Sequence, residues 1–163
     1  SPTCRLEGPL EPHPSRRPLR RQALSQSAAL VALPADKWEI CYLLRHTEPA
    51  VGTQSACFAV GEDDFAQQLA PARTFARLAD ARQATETGVF AAGSEENVIL
   101  IAGHWASAQQ PVEAGFARHK IVDMLGDLYC AGRPWLGRFV GFNSGHRHNH
   151  ELLSRLAGGA GGD

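Results

Sequence analysis

FARHKIVDMLGDLYCAG, residues 116–132, carries the reading of the fold. Placed at about 100° per residue, Ile121, Val122, Met124, Leu125, Leu128 and Tyr129 fill one wide apolar arc, the core face of a helix. His119, Lys120, Asp123 and Asp127 fill the narrower remaining arc, and Gly126 beside them leaves room for something to approach. A face meant only for solvent is usually written in Lys and Glu. A histidine and an aspartate four residues apart can instead reach one cation, or pass a proton between them. An ordinary surface His–Asp pair has the same spacing. Gly132 and Pro134 end the helix.

Working outward, KWEICYLLR (37–45) and SACFAV (55–60) read as strands. EDDFAQQLA (62–70) suits a short helix ended by Pro71. RTFARL (73–78) reads as extended and ADARQATETG (79–88) as a helix closed by Gly88. NVILIAG (97–103) is a buried strand, GRFVGF (137–142) another strand, and HNHELLSRL (148–156) the last helix. A strand-heavy start followed by loose alternation favours an α+β sheet layered with helices over a doubly wound parallel sheet. The domain is expected to run over residues 37–157. Residues 1–36 form an irregular Pro/Arg-rich segment: positions 1–35 hold six of the ten prolines, and five arginines against two glutamates. Residues 158–163 form a flexible Gly-rich tail.

The 163 residues suffice for one domain with a core, and 44 % hydrophobic against 20 % charged residues is a globular balance. A net charge of −1 gives no electrostatic case for nucleic acid or an anionic membrane. No apolar run suits a membrane span or the h-region of a signal peptide. Cys4, Cys41, Cys57 and Cys130 form no CxxC pair, so all four are expected to be reduced thiols of a cytoplasmic protein.

A second constellation is FNSGHRHNHELL (142–153), with His146, His148 and His150. It reads either as a polar loop with Asn149 capping the last helix, or as a source of one proton-transfer histidine near the first helix.

RHKIVDMLGDLYCAGRPWLGRF followed by SGHRHNHELLSRL closely resembles the zinc-dependent UDP-3-O-acyl-N-acetylglucosamine deacetylases of lipid A biosynthesis, whose pattern is roughly RHK-x-x-D-x-x-GDL and then SGH-x-x-N-x-x-L. PAVGTQS, APARTF and GVFAAGSEENVIL resemble three further stretches of that family, and the resemblance runs in order from about Lys37 to Leu156. It implies a two-layer α/β sandwich, a mixed sheet packed against helices, like the second domain of the deacetylase. By resemblance, His119 and Asp123 are two of three Zn²⁺ ligands. Lys120 helps hold substrate and developing charge, Asp127 orients His146, and His146 is the general acid or cationic stabiliser of the oxyanion. The Thr74 hydroxyl donates to that oxyanion, and Phe75, Ala92 and Gly93 line a passage for the acyl chain.

The third ligand, a histidine, and its neighbouring glutamate base lie in the family's first domain, in an EHL-type motif that these 163 residues lack. The sequence therefore reads as a partial copy of a longer enzyme. The first domain could also be a separate chain acting in trans, or His46, His104 or His148 with Glu48 or Glu151 could stand in locally. The leading expectation is a zinc amidohydrolase removing acetate from a UDP-3-O-acyl-glucosamine substrate, without stable membrane insertion. A non-catalytic remnant or substrate-binding subunit is the second, and a His-rich metal-binding module the third.

Overall fold

A computed structural model of the chain describes residues 4–5, 28–86, 97–132 and 134–158. Eight strands and four helices occur among them. The larger sheet is built around β3 (Trp38–Arg45) and β8 (Trp135–Phe142), which run parallel from Trp38↔Gly137 to Leu43↔Phe142. Period-two alternation sets their faces. Trp38, Ile40, Tyr42, Leu44, Trp135 and Phe139 point to the core, while Glu39, Cys41, Leu43 and Arg45 point away from it. β4 (Thr53–Ala59) pairs antiparallel with β3, and β2 (Ala29–Leu33) antiparallel with β8. β1 (Cys4–Arg5) adds a short parallel pairing at the start of β8.

A smaller sheet of β5 (Thr74–Arg77), β6 (Val98–Ala102) and β7 (Trp105–Ala106) is parallel, then antiparallel. α1 (Phe65–Gln68) is capped by Asp64, whose carboxylate accepts from Gln67 N–H, and α2 (Leu78–Glu86) follows β5 directly. α3 (Gly115–Tyr129) lies across β3 and β4 and against β5, and α4 (His146–Gly158) packs on α3 and β2. The expected α+β mixed sheet with helices is what the chain forms. Phe116, Ile121, Met124 and Leu128 of α3 meet Ile40, Tyr42 and Phe139 in one core.

Four expectations are corrected. Residues 29–33, read as part of an irregular segment, are β2: alternation over so short a stretch is faint, and its partner lies more than a hundred residues on in the sequence. Cys41 and Cys57 are bonded to each other, because the β3–β4 register places them directly opposite, with Cα atoms 4.0 Å apart; Cys130 is free and exposed. Tyr129 is 55 % exposed and not a core residue; its ring rests on Trp38 at 5.0 Å. The last helix starts at His146, so Asn149 is no cap but lies inside it, 2 % exposed. Gly88, Ala92, Gly93 and the Gly-rich end from residue 159 lie outside the described residues.

Candidate active site

The start of α3 is set by side chains from elsewhere. Ala114 takes a left-handed φ of 50° and offers no side-chain cap. Gln54 of β4 supplies one: its Oε1 accepts from Phe116 N–H (3.1 Å) and Ala117 N–H (3.3 Å), while its Nε2 donates to the Val51 carbonyl at 3.0 Å. Two orphan amides of the helix are thereby satisfied, and the VGTQ turn is tied to the turn that carries His119. The Phe75 ring packs edge-on against Phe116 at 5.1 Å, so β5, with Thr74 beside Phe75, is held against the same turn.

One turn on, His119 Nδ1 faces Asp123 Oδ1 at 3.6 Å, and Lys120 Nζ lies 3.4 Å from Asp123 Oδ2. His119 Nδ1 is buried and has no hydrogen-bond partner. Burial opposes ionisation of Asp123, but the facing His119 ring and the Lys120 ammonium outweigh it, and its pKa lies below the ordinary value. A buried nitrogen without a hydrogen bond, close to an ionised carboxylate oxygen, is a donor pair that suits a cation. Ligands about 2 Å from a tetrahedral ion lie roughly 3.3 Å apart.

A further turn along, Asp127 faces α4. Its Oδ2 accepts from Asn149 Nδ2 at 2.7 Å and meets His146 Nδ1 at 2.6 Å. His150 Nε2 stands 3.7 Å from its Oδ1. The turn before α4 is fixed from the core: the Tyr42 hydroxyl donates to the Ser144 carbonyl, and burial pushes the Tyr42 pKa up to about 12. Gly141 allows this packing, since a Cβ there would lie 2.7 Å from Tyr42 Cδ2 and 2.8 Å from Met124 Cε. Gly126 is the reverse: a Cβ would meet nothing within 4 Å, as its open side of the helix requires.

The structure thus brings His119, Lys120 and Asp123 together, and Asp127 with His146, along one face of α3. Four of the five local stand-ins for a third ligand or base are otherwise engaged, and His104 is exposed in the turn between β6 and β7. His46 Nδ1 accepts from Glu48 N–H (3.1 Å), Glu48 Oε2 accepts from Gly103 N–H (2.7 Å), His148 Nδ1 from Gly145 N–H (3.2 Å), and Glu151 pairs with Arg147 (3.1 Å). Among the described residues no three His, Cys, Asp or Glu side chains are placed to hold a metal ion together. Sequence reading missed Gln54, Tyr42 and the buried role of Asn149. The VGTQ stretch was a signal for the first and the Asn of the SGH-x-x-N pattern for the last; nothing local marks Tyr42.

Residues 12–158 match the family model described as UDP-3-O-acyl N-acetylglycosamine deacetylase. The chain belongs to this family. The match also takes in most of the Pro/Arg-rich segment, beyond the Lys37–Leu156 span of the motif resemblance. Among curated relatives, the UDP-3-O-acyl-N-acetylglucosamine deacetylase of Chlamydia caviae is 34 % identical over 140 residues, 81 % of this chain and 48 % of the relative. That of Phenylobacterium zucineum is 35 % identical over 128 residues, 76 % and 43 % respectively. The Chlamydia trachomatis enzyme is 32 % identical over 139 residues, 80 % and 47 %. The chain spans about half the length of the deacetylases it matches. Among the described residues no helix is long and apolar enough to cross a membrane.

Proposed function

We propose that this chain is the zinc- and proton-handling half of a deacetylase that removes acetate from UDP-3-O-acyl-N-acetylglucosamine in lipid A biosynthesis. The observation that carries the proposal is the single face of α3. There the His119–Asp123 pair, with its unpartnered imidazole nitrogen, is followed one turn later by the Asp127–His146 pair. His119 and Asp123 would hold Zn²⁺, with a third ligand from outside the described residues. Bound zinc supplies Lewis acidity, polarising an amide carbonyl and acidifying water.

The remaining roles fall to side chains of this chain. Asp127 engages Nδ1 of His146, which leaves Nε2 to give a proton to the departing amine. The same carboxylate stabilises the charged ring. Lys120 and the Thr74 hydroxyl donate to the oxyanion as it develops. Phe75 would line the passage for the acyl chain; Ala92 and Gly93, which the resemblance adds to that role, lie outside the described residues. The setting is cytoplasmic, where the exposed Cys57 side of the Cys41–Cys57 bridge would be open to reduction.

The test joins the first half of a relative to this chain, covalently or in trans, and measures acetate release from UDP-3-O-acyl-N-acetylglucosamine. Little turnover is expected from the chain alone, and clear turnover after joining. Asp127→Asn should cut kcat by about 100-fold or more with little change in KM. A robust rate from the chain alone, lost on substituting Glu48 or Glu151, would overturn the proposal. A second reading is a non-catalytic or substrate-binding subunit that needs a separate first domain. The two-ligand pair, with no third group converging among the described residues, favours it. Binding of the UDP-sugar without turnover after joining would select it.

A further inference from the structure

Asp127 receives more than one group from α4. His146, Asn149 and His150 stand at i, i+3 and i+4, so all three face the same carboxylate. Two of them differ sharply from the third. The His146 and His150 side chains are each 62 % exposed, whereas Asn149 is 2 % exposed. Asn149 Nδ2 reaches the same oxygen, Oδ2, that His146 Nδ1 meets. Its own Oδ1 is buried with no partner.

Asparagine gains nothing from a helix interior, and burying an unpaired amide oxygen is costly. The residue is therefore worth having at this position for its donor. Without that donor, the carboxylate would have two imidazoles to choose between, His146 at one oxygen and His150 at 3.7 Å from the other. An amide is the suitable holder because it donates at every pH, whereas either histidine changes its donors on titration.

We propose that Asn149 is a positioning residue: it locks the rotation of the Asp127 carboxylate so that Oδ2 is held on His146 and the carboxylate does not turn to His150. This deepens the function proposed above and rests on its Asp127–His146 pair. Asn149 touches no reacting atom in this scheme. It acts by holding the Nδ1–H of His146 on Asp127, which keeps Nε2 as the nitrogen that gives the proton.

The test is NMR on the full chain with ¹⁵N-labelled histidine. The signal read is the downfield ring proton of His146 on Nδ1 and its exchange with water. The native chain should show this proton, and Asp127→Asn should lose it. Asn149→Ala should speed its exchange by about ten-fold or more, the population change that one hydrogen bond to a charged group controls. Adding His150→Gln to Asn149→Ala should recover part of the protection by removing the competing ring. If Asn149→Ala does not fold, Asn149→Leu, close in shape and without the amide, carries the same comparison. Native-like exchange in the folded Asn149 variant, with Asp127→Asn still losing the signal, overturns the role of Asn149 alone. Absence of the proton from the native chain, or its survival in Asp127→Asn, overturns the underlying pair as well.

Discussion

At His46, folding and protonation oppose one another. The ring is partly buried and stacks edge-on against Phe75, with centroids 5.0 Å apart. Its Nδ1 accepts from Glu48 N–H, so that nitrogen carries no proton. Burial pushes its pKa below the ordinary histidine value, the Arg77 charge adds to this, and Glu48 opposes it only in part. A folded pKa below the unfolded value of about 6.5 means that the fold favours the neutral ring. The contribution is complete above the unfolded pKa. It declines as pH falls from there toward the folded value, because the unfolded chain then takes up a proton that the folded chain refuses. Urea midpoints measured from pH 7.5 down to 5.5 should fall, and His46→Gln should flatten that part of the profile. An equal slope in both proteins would assign the loss to other groups. In the sequence, RHTEP shows only a spare histidine beside a glutamate. That Nδ1 is already taken follows from the turn closed by the Gly52 and Glu48 backbone groups, which composition cannot reveal. The cap reading of Asn149, one of the two its stretch allows, fails for the same kind of reason. Asn, Ser and Asp before an apolar run are usually caps, and only the packing of α4 on α3 shows one buried mid-helix against a carboxylate.

The helix α3 was the most legible element, since fifteen residues of amphipathic pattern outweigh any local ambiguity. Its two faces make a paired prediction through glycine. Gly126→Ala meets nothing within 4 Å and replaces a poor helix former, so the chain should gain about 1 kcal/mol. Gly141→Ala, on the strand beneath, drives a Cβ to within 2.8 Å of Met124 Cε and Ser144 Oγ and should cost about 1–3 kcal/mol. Denaturant midpoints of the two variants should therefore move in opposite directions; a shared sign would mean that Met124 of α3 does not pack over Gly141 as described. The strands were less legible in their pairing than in their existence. β3 and β4 were both readable from alternation, but their register was not, and the register is what sets Cys41 opposite Cys57. Closing a loop of sequence separation 16 is worth about 3 kcal/mol in the chain-entropy model. Reduction should lower stability by up to roughly that amount, and thiol titration of the unfolded, unreduced chain should count two fewer thiols than after reduction. No change in either would show the pair to be free thiols.

Across the whole molecule, the ordered motifs from the VGTQ turn to the SGH turn were enough to indicate the family, because several separate short patterns constrain one another. The sequence could not show that β2 reaches across to β8 and joins the Pro/Arg-rich region to the sheet, a pairing between residues 29–33 and 138–142. Nor could it show how α4 brings His146 onto Asp127, beside the ligand-type side chains that the α3 arc already groups. The central claim is that His119 and Asp123 are a zinc site completed from outside the described residues. Calorimetric titration of zinc into the full chain, after stripping with chelator, tests it most directly. Two protein ligands, where a catalytic zinc usually has three, should give binding weaker than about 1 μM, which His119→Ala and Asp123→Ala each abolish while His146→Ala does not. Stoichiometric, chelator-resistant zinc in the chain alone, or binding unchanged by loss of His119 and Asp123, would contradict it.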